Sequence, residues 1–138
     1  MAVAILDTGV YIDHWERGSY QDTFENLRRA YIIRHSAVVL SELRRGARAR
    51  NAQQLVAKLF QLATVRWEPS TADWWEAGRL VRSIGDKHDW ETHKRRDFQN
   101  DALIALTARH YGATVVTENH SDFELLQKEL RISILPAR

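Results

Sequence analysis

Four carboxylates of this sequence stand beside segments that are predicted to be buried, and together they could hold a divalent cation. They are Asp7, Glu42, Asp101 and Asp122. Like charges held together repel and raise one another's pKa unless a hard cation neutralises them. Ligand sets made only of oxygen favour Mg²⁺ or Mn²⁺ over Zn²⁺. Such a cation can activate water and orient a phosphate, so the acids indicate metal-dependent chemistry on a phosphate group.

Asp101 is the acid whose position is least well explained by a purely structural role. On a helical wheel its neighbours are Ile104, Ala105 and Ala108, so the carboxylate lies on an apolar face. A buried acid needs a partner, and no basic residue lies three or four positions further on. The alternative is an acid of the first helical turn that the helix dipole favours.

The other acids also have ordinary structural explanations. Asp7 could cap a helix that starts at Thr8, Glu42 could pair with Arg45, and Asp122 could compensate a helix dipole. Asn119, in the same turn as Asp122, could supply a carbonyl oxygen in its place.

Short apolar segments alternate with helical ones, which predicts an α/β domain with a mostly parallel sheet. Continuous apolar or β-branched runs are typical of strands buried on both faces. The predicted strands are Ala2–Leu6, Tyr31–Ile33, Thr64–Trp67, Ala113–Thr117 and Ile132–Leu135.

Helices are predicted between these strands from caps and breakers. Ser36 should cap one helix, Gly112 should end another, and Ser121 with Glu124 should form a capping box. The predicted helices are Ala37–Arg48, Ala52–Leu62, Ala72–Ile84, Asp97–Tyr111 and Asp122–Glu129. The polar stretch Gly85–Arg96 is predicted to be an exposed loop, and residues 1–138 a single domain.

Composition narrows the class of protein. The chain has no cysteine, which excludes disulfide scaffolds and thiolate zinc sites and suits a reducing cytoplasm. No apolar run approaches the ~20 residues that span a bilayer, and the start lacks the pattern of a signal peptide. Lysine and arginine total 20 against 18 acids, and most of these basic residues are arginine, which favours a polyanionic partner. Arg44, Arg45, Arg48 and Arg50 follow Glu42 closely and are candidates to hold a phosphate backbone, or else form a solvated helix face.

The sequence resembles PIN-domain endoribonucleases, in particular VapC-type toxins of bacterial toxin–antitoxin pairs. Each motif is short, but all four occur in order over nearly the whole chain. They are Ile5-Leu6-Asp7-Thr8, the stretch from Ser36 to Gly46, Asn100-Asp101-Ala102-Leu103-Ile104-Ala105, and the stretch from Val116 to Phe123.

The resemblance implies a PIN-like fold with a sheet of four or five strands flanked by helices. It further implies that the four acids hold Mg²⁺ or Mn²⁺, that Thr8 and Thr117 support them, and that Glu42 or Asp101 takes a proton from the attacking water. It implies RNA as the substrate, a cognate antitoxin as partner and a homodimer. Gly9 and Asn119 depart from the family pattern, because relatives often carry a polar residue at the first position and some an extra Asp at the second.

Alternative interpretations remain at this stage. The fold could bind RNA or a partner without cleaving, or belong to a phosphoacceptor receiver domain, although the lysine that such a domain needs after its last strand is missing. His88 and His93 lack the spacing of a zinc motif. Trp74 and Trp75 favour helix packing or a subunit interface over base stacking.

Overall fold

In a computed structural model, which describes residues 1–137, five parallel strands form one sheet with the order β3-β2-β1-β4-β5. The strands are β1 (Ala2–Leu6), β2 (Tyr31–Ser36), β3 (Arg66–Trp67), β4 (Thr114–Thr117) and β5 (Ser133–Pro136). The predicted α/β class and parallel sheet are confirmed. β2 extends three residues beyond its predicted end, while β3 keeps only the last two residues of its predicted range.

Within residues 1–137, seven helices flank the sheet. They are α1 (Thr8–Arg17), α2 (Gln21–Ala30), α3 (Ala37–Gly46), α4 (Arg50–Leu62), α5 (Thr71–Lys87), α6 (Thr92–Tyr111) and α7 (His120–Glu129). Ser36 caps α3 as predicted, and Gly112 ends α6 with φ +66°. Sequence analysis missed α2, whose buried side chains are only Phe24 and Leu27. Within residues 1–137 no helix is long and apolar enough to cross a membrane.

The predicted loop over residues 85–96 is wrong. α5 continues to Lys87 and α6 already begins at Thr92, so the two helices form a hairpin with a four-residue turn. Glu91 caps α6 by accepting hydrogen bonds from the backbone N–H groups of His93 and Lys94. Arg95 closes the turn, since its guanidinium donates to the carbonyl of Trp90 and to Asp86, each over 2.8 Å. The Glu91 cap and the Arg95 hydrogen bonds thus stabilise helical structure in a stretch of mostly polar residues.

The capping box predicted at Ser121 and Glu124 is also wrong, because α7 begins at His120, two residues before its predicted start at Asp122, and Asn119 is its N-cap. A capping box does form at α5, where Ser70 and Asp73 exchange side-chain to backbone hydrogen bonds.

In the strand order of the sheet, β1 and β4 are neighbours at the centre. The chain proceeds from β1 to β2 on one side and from β4 to β5 on the other side. In open parallel sheets, ligands bind beyond the carboxyl ends of the strands at such a point. β1 is buried from Ala4 to Leu6 and β4 from Val115 to Thr117, so both strands end in a fixed, densely packed core.

Candidate active site

The four predicted acids approach the carboxyl ends of β1 and β4 from four different elements. Asp7 follows β1, Glu42 lies on α3, Asp101 on α6, and Asp122 in the first turn of α7. The negative charges of Asp7, Asp122 and Glu42 all raise the pKa of Asp101, which shows that the carboxylates share one electrostatic environment. The structure therefore brings all four together.

Asp7 is buried and is at once a helix cap and a member of the acidic cluster. One carboxylate oxygen accepts a hydrogen bond from the Thr8 N–H, and the other accepts one from the Thr117 hydroxyl, each over 2.8 Å. Burial raises the pKa of Asp7 to about 6, against the lowering effect of these two hydrogen bonds. The capping and functional interpretations of Asp7 are thus compatible.

Glu42 is held by two polar side chains from other elements. Oε1 accepts a hydrogen bond from the Thr8 hydroxyl over 2.8 Å, and Oε2 accepts one from the Asn100 side-chain amide over 3.3 Å. Arg45, the alternative partner, is exposed. Asn100 precedes Asp101 in the sequence, and nothing in its spacing alone identifies it as a contact of Glu42.

Asp101 has the most strongly perturbed pKa of the cluster, raised to about 8. Burial is the largest cause, followed by the charges of Asp7, Asp122 and Glu42. The Lys94 ammonium acts in the opposite direction. The interpretation of Asp101 as a carboxylate on an apolar face without adequate compensation therefore agrees with the structure.

Asn119 and Asp122 are both in the site and contact each other. The Asn119 amide donates to Asp122 Oδ2 over 3.2 Å and reaches Asp101 Oδ2 at 3.5 Å. The backbone N–H of Asn119 donates to the Thr117 hydroxyl, which in turn donates to Asp7. Thr117 therefore links the turn after β4 to the acid after β1.

Sequence analysis missed two further contributors. Lys94 donates to Asp122 Oδ2 over 2.7 Å, from the segment that was predicted to be a loop. Glu118 raises the pKa of Asp7 and accepts a hydrogen bond from the Tyr20 hydroxyl over 2.6 Å. A Cβ at Gly9 would overlap the Glu118 carboxylate, so a larger residue at this position would require the Glu118 side chain to move.

The chemistry of the donor set fits a hard divalent cation. The donors are carboxylate oxygens. Burial, and after it the negative charges of neighbouring carboxylates, raise the pKa values of Asp7 and Asp101. Among residues 1–137, no group of three or more His, Asp or Glu side chains is arranged so that it could hold a metal ion. Hydrogen bonds from Thr8, Asn100, Thr117, Asn119 and Lys94 hold the acids instead.

The remaining candidates lie outside the cluster. Arg44 lines a groove of about 700 Å³ between α3 and α4. Trp74 is 51% and Trp75 86% exposed, so neither packs in the core as one interpretation expected. His93 lies near Asp97 on the exposed face of α6 rather than in the cluster. The other three arginines of the predicted set are exposed as well, namely Arg45, Arg48 and Arg50.

Comparison with known proteins places this geometry in a family. The chain is similar in fold to VapBC2 from Rickettsia felis bound to a promoter DNA fragment, with 22% identity and a TM-score of 0.67 over 97% of this chain and 98% of that chain. It is similar to VapBC-1 from nontypeable Haemophilus influenzae, with 17% identity and a TM-score of 0.71 over 98% of each chain. It is also similar to DNA-bound VapBC from Salmonella typhimurium, with 22% identity and a TM-score of 0.67 over 100% of each chain. None of the curated proteins compared with the sequence matches it. The family model described as PIN domain matches residues 4–129. This chain therefore belongs to the PIN domain family.

Proposed function

We propose that this protein is a metal-dependent endoribonuclease that hydrolyses RNA phosphodiester bonds and acts as the toxin of a toxin–antitoxin pair. The observation that carries the proposal is the convergence of Asp7, Glu42, Asp101 and Asp122 at the carboxyl edge of the sheet of a PIN-domain chain. These four acids are the proposed cation ligands and catalytic residues. A domain that only binds RNA has no need for four carboxylates, since they repel a phosphate backbone.

In this proposal the cofactor is Mg²⁺ or Mn²⁺, which when bound neutralises the acids and stabilises the charge that develops on the phosphate. Glu42 or Asp101 accepts the proton of the attacking water. Thr8 and Asn100 orient Glu42, and Thr117 orients Asp7, through the hydrogen bonds described above. The cleavage should leave a 5′-phosphate and a 3′-hydroxyl.

The exposed arginines that follow Glu42 in the sequence are the proposed contacts with the RNA backbone. The guanidinium group matches phosphate geometry and keeps its charge at all physiological pH values. Binding by these side chains should therefore weaken steeply as the salt concentration rises. They are Arg44, Arg45, Arg48 and Arg50.

The proposed partner is a cognate antitoxin, because three of the solved structures that share this fold are VapBC assemblies. Those from R. felis and S. typhimurium are bound to DNA. A homodimer is proposed as the state of the toxin. RNA as substrate places the activity in the cytoplasm.

Induced expression in a bacterial host tests the function. The parent should arrest growth, while Asp7→Ala and Asp101→Ala at equal soluble level should not, because losing one ligand removes the cation or its geometry. Asp97→Ala is the matched control, since Asp97 is an exposed acid one turn before Asp101 on the same helix. Purified parent should also cleave RNA with Mg²⁺ or Mn²⁺ and not with EDTA. RNA binding without cleavage under any of these conditions would favour the non-catalytic alternative.

A further prediction concerns how the antitoxin inhibits. The carboxylates carry more negative charge than Lys94 compensates, so a basic side chain of the partner should enter the site. We expect the antitoxin tail to run across the carboxyl edge of the sheet and to place an Arg or Lys beside Asp7 and Asp101. A structure of the complex checks this. An inhibitory tail that leaves both carboxylates open to solvent would refute it.

A further inference from the structure

We propose that Lys94 is a positioning residue of the acidic site: its ammonium group compensates Asp122 in the cation-free protein and thereby lowers the affinity of the site for a divalent cation. This inference rests on the proposed function, because it concerns the same acids. It adds a residue that lies outside the four acidic motifs.

The contact between Lys94 and Asp122 is short and partly shielded from solvent. The Lys94 ammonium lies 2.7 Å from Asp122 Oδ2, and the two side chains are 36% and 12% exposed. Hydrogen bonds between charged partners are shorter and stronger than neutral ones. The same oxygen also accepts the Asn119 amide, so it already has two donors in the cation-free protein.

The early start of α6 is what brings Lys94 to the site. Lys94 and Asp101 are seven residues apart, which on an α-helix is about two turns and about 20° of rotation. Both side chains therefore extend from the same face, and the long lysine side chain spans part of the distance. Glu91 fixes the first turn by capping the N–H of Lys94 itself, and Arg95 clasps the preceding turn.

An aromatic platform limits where the ammonium can go. Lys94 Nζ lies 4.9 Å from the centre of the Trp90 ring, within the range of a cation–π interaction. Trp90 in turn packs edge-on against the fully buried Phe98, with ring centres 4.8 Å apart. Lys94 is thus held between an aromatic face and a carboxylate.

This arrangement makes Lys94 a competitor of the cation. A divalent cation that uses Asp122 Oδ2 must displace the ammonium from that oxygen, and it is repelled by the charge if the ammonium stays nearby. A positive charge a few Å from a divalent ion in water-like surroundings changes affinity on the order of tenfold. Lys94 should therefore keep the cation affinity lower than the acids alone would give.

Mn²⁺ binding to the full chain tests the inference, with free Mn²⁺ counted by electron paramagnetic resonance. Lys94→Met keeps the apolar stem and removes the charge, so it should bind Mn²⁺ about tenfold more tightly than the parent. Lys94→Arg keeps the charge and should stay within about twofold of the parent. Lys58→Met, an exposed lysine on α4, makes the same change in net charge and should leave the affinity unaltered.

Melting curves in EDTA provide the second measurement. Lys94→Met should melt lower than the parent without a cation, because Asp122 loses its partner, and should gain more from added Mn²⁺. Unchanged or weaker Mn²⁺ binding by Lys94→Met, with binding by the parent intact, overturns the inference alone. If neither the parent nor Lys94→Met binds Mn²⁺, the proposed metal site fails and this inference fails with it.

Discussion

Thr117 shows how one hydroxyl can order two acids of the site. It donates to Asp7 and accepts from the Asn119 backbone, so it ties the ends of β1 and β4 to the turn that carries Asp122. Because Thr117 is fully buried, no water replaces its hydrogen bond if the hydroxyl is lost. Groups that orient metal ligands typically contribute 10–100-fold in affinity or activity.

Thr117→Val should therefore lower nuclease activity by about 10–100-fold while keeping the shape of the side chain. It should also lower the free energy of unfolding by about 1–3 kcal/mol, since Asp7 stays buried with one donor fewer. Thr114→Val is the matched control, because Thr114 begins the same strand and bonds only the partly exposed end of β5 through Ser133. Equal activity losses in the two variants would contradict a special role for Thr117. Cleavage assays and urea unfolding provide the two measurements.

At this scale the sequence indicated the four acids as candidates together with Thr8 and Thr117, but it did not indicate the other side chains that contact the acids. Asp101 was identifiable because a carboxylate among Ile104, Ala105 and Ala108 contradicts its own surroundings. Asn100, Tyr20 and Lys94 carry no such contradiction, since polar residues near helix ends are ordinary. Their roles depend on contacts with residues 28 to 98 positions away, which local patterns do not encode.

The helical hairpin of α5 and α6 shows the same limit at the scale of elements. Its central residues are charged and lack an apolar period, so the sequence pattern indicated a loop over 85–96. Helix α6 starts early because Glu91 caps its first turn. Arg95 of α6 packs over Gly85 of α5, where a Cβ would lie 2.9 Å from the guanidinium carbon, so the two helices can approach each other closely. Strands β1 and β4, by contrast, were predictable, because their apolar runs are buried on both faces.

A glycine at the end of α6 and a glycine in the middle of α5 give a prediction with opposite signs. An added Cβ meets nothing within 4 Å at either Gly112 or Gly78, so steric room does not distinguish them. Gly112 ends α6 at φ +66°, a conformation that side chains with a Cβ adopt at a cost. Gly112→Ala should lower the free energy of unfolding by about 1 kcal/mol. Gly78→Ala, in the exposed middle of α5, should raise it by about 0.5–1 kcal/mol. Chemical denaturation of both variants measures this, and the same sign for both would refute it.

At the scale of the whole molecule, folding itself assembles the acidic site, so stability and function are coupled through charge. Four elements bring their carboxylates to one edge whether or not a cation is present. The folded protein then holds Asp7 and Asp101 with pKa values of about 6 and about 8, while both lie near 3.8 in the unfolded chain. Proton binding is therefore stronger in the folded state at both residues.

This coupling fixes the direction of the pH dependence. Between about pH 4 and pH 8 the folded state keeps protons that the unfolded state has released, so without a cation stability falls as pH rises through that window. The contribution of Asp7 to this fall in stability ends at about pH 6, and that of Asp101 ends at about pH 8. The total cost above pH 8 is on the order of a few kcal/mol, the usual scale for uncompensated buried charge. Burial, and after it the charge of Arg34, lower the pKa of His35. At pH values below the ordinary pKa of histidine, this shift makes the stability rise with pH, which opposes the effect of the two acids.

Asp101→Asn should therefore melt higher than the parent in EDTA at pH 8.5, although it loses activity, because the amide removes the charge and keeps the shape. Its melting temperature should vary little between pH 6 and pH 8, whereas that of the parent should fall. Asp97→Asn, at an exposed position one turn earlier, should follow the parent. Millimolar Mn²⁺ should stabilise the parent by mass action and the Asp101→Asn variant less, since the variant lacks one ligand. Scanning calorimetry from pH 4.5 to 8.5, with EDTA and with Mn²⁺, measures all three proteins. If Asp101→Asn melts lower in EDTA and Mn²⁺ shifts neither it nor the parent, these carboxylates do not share a cation.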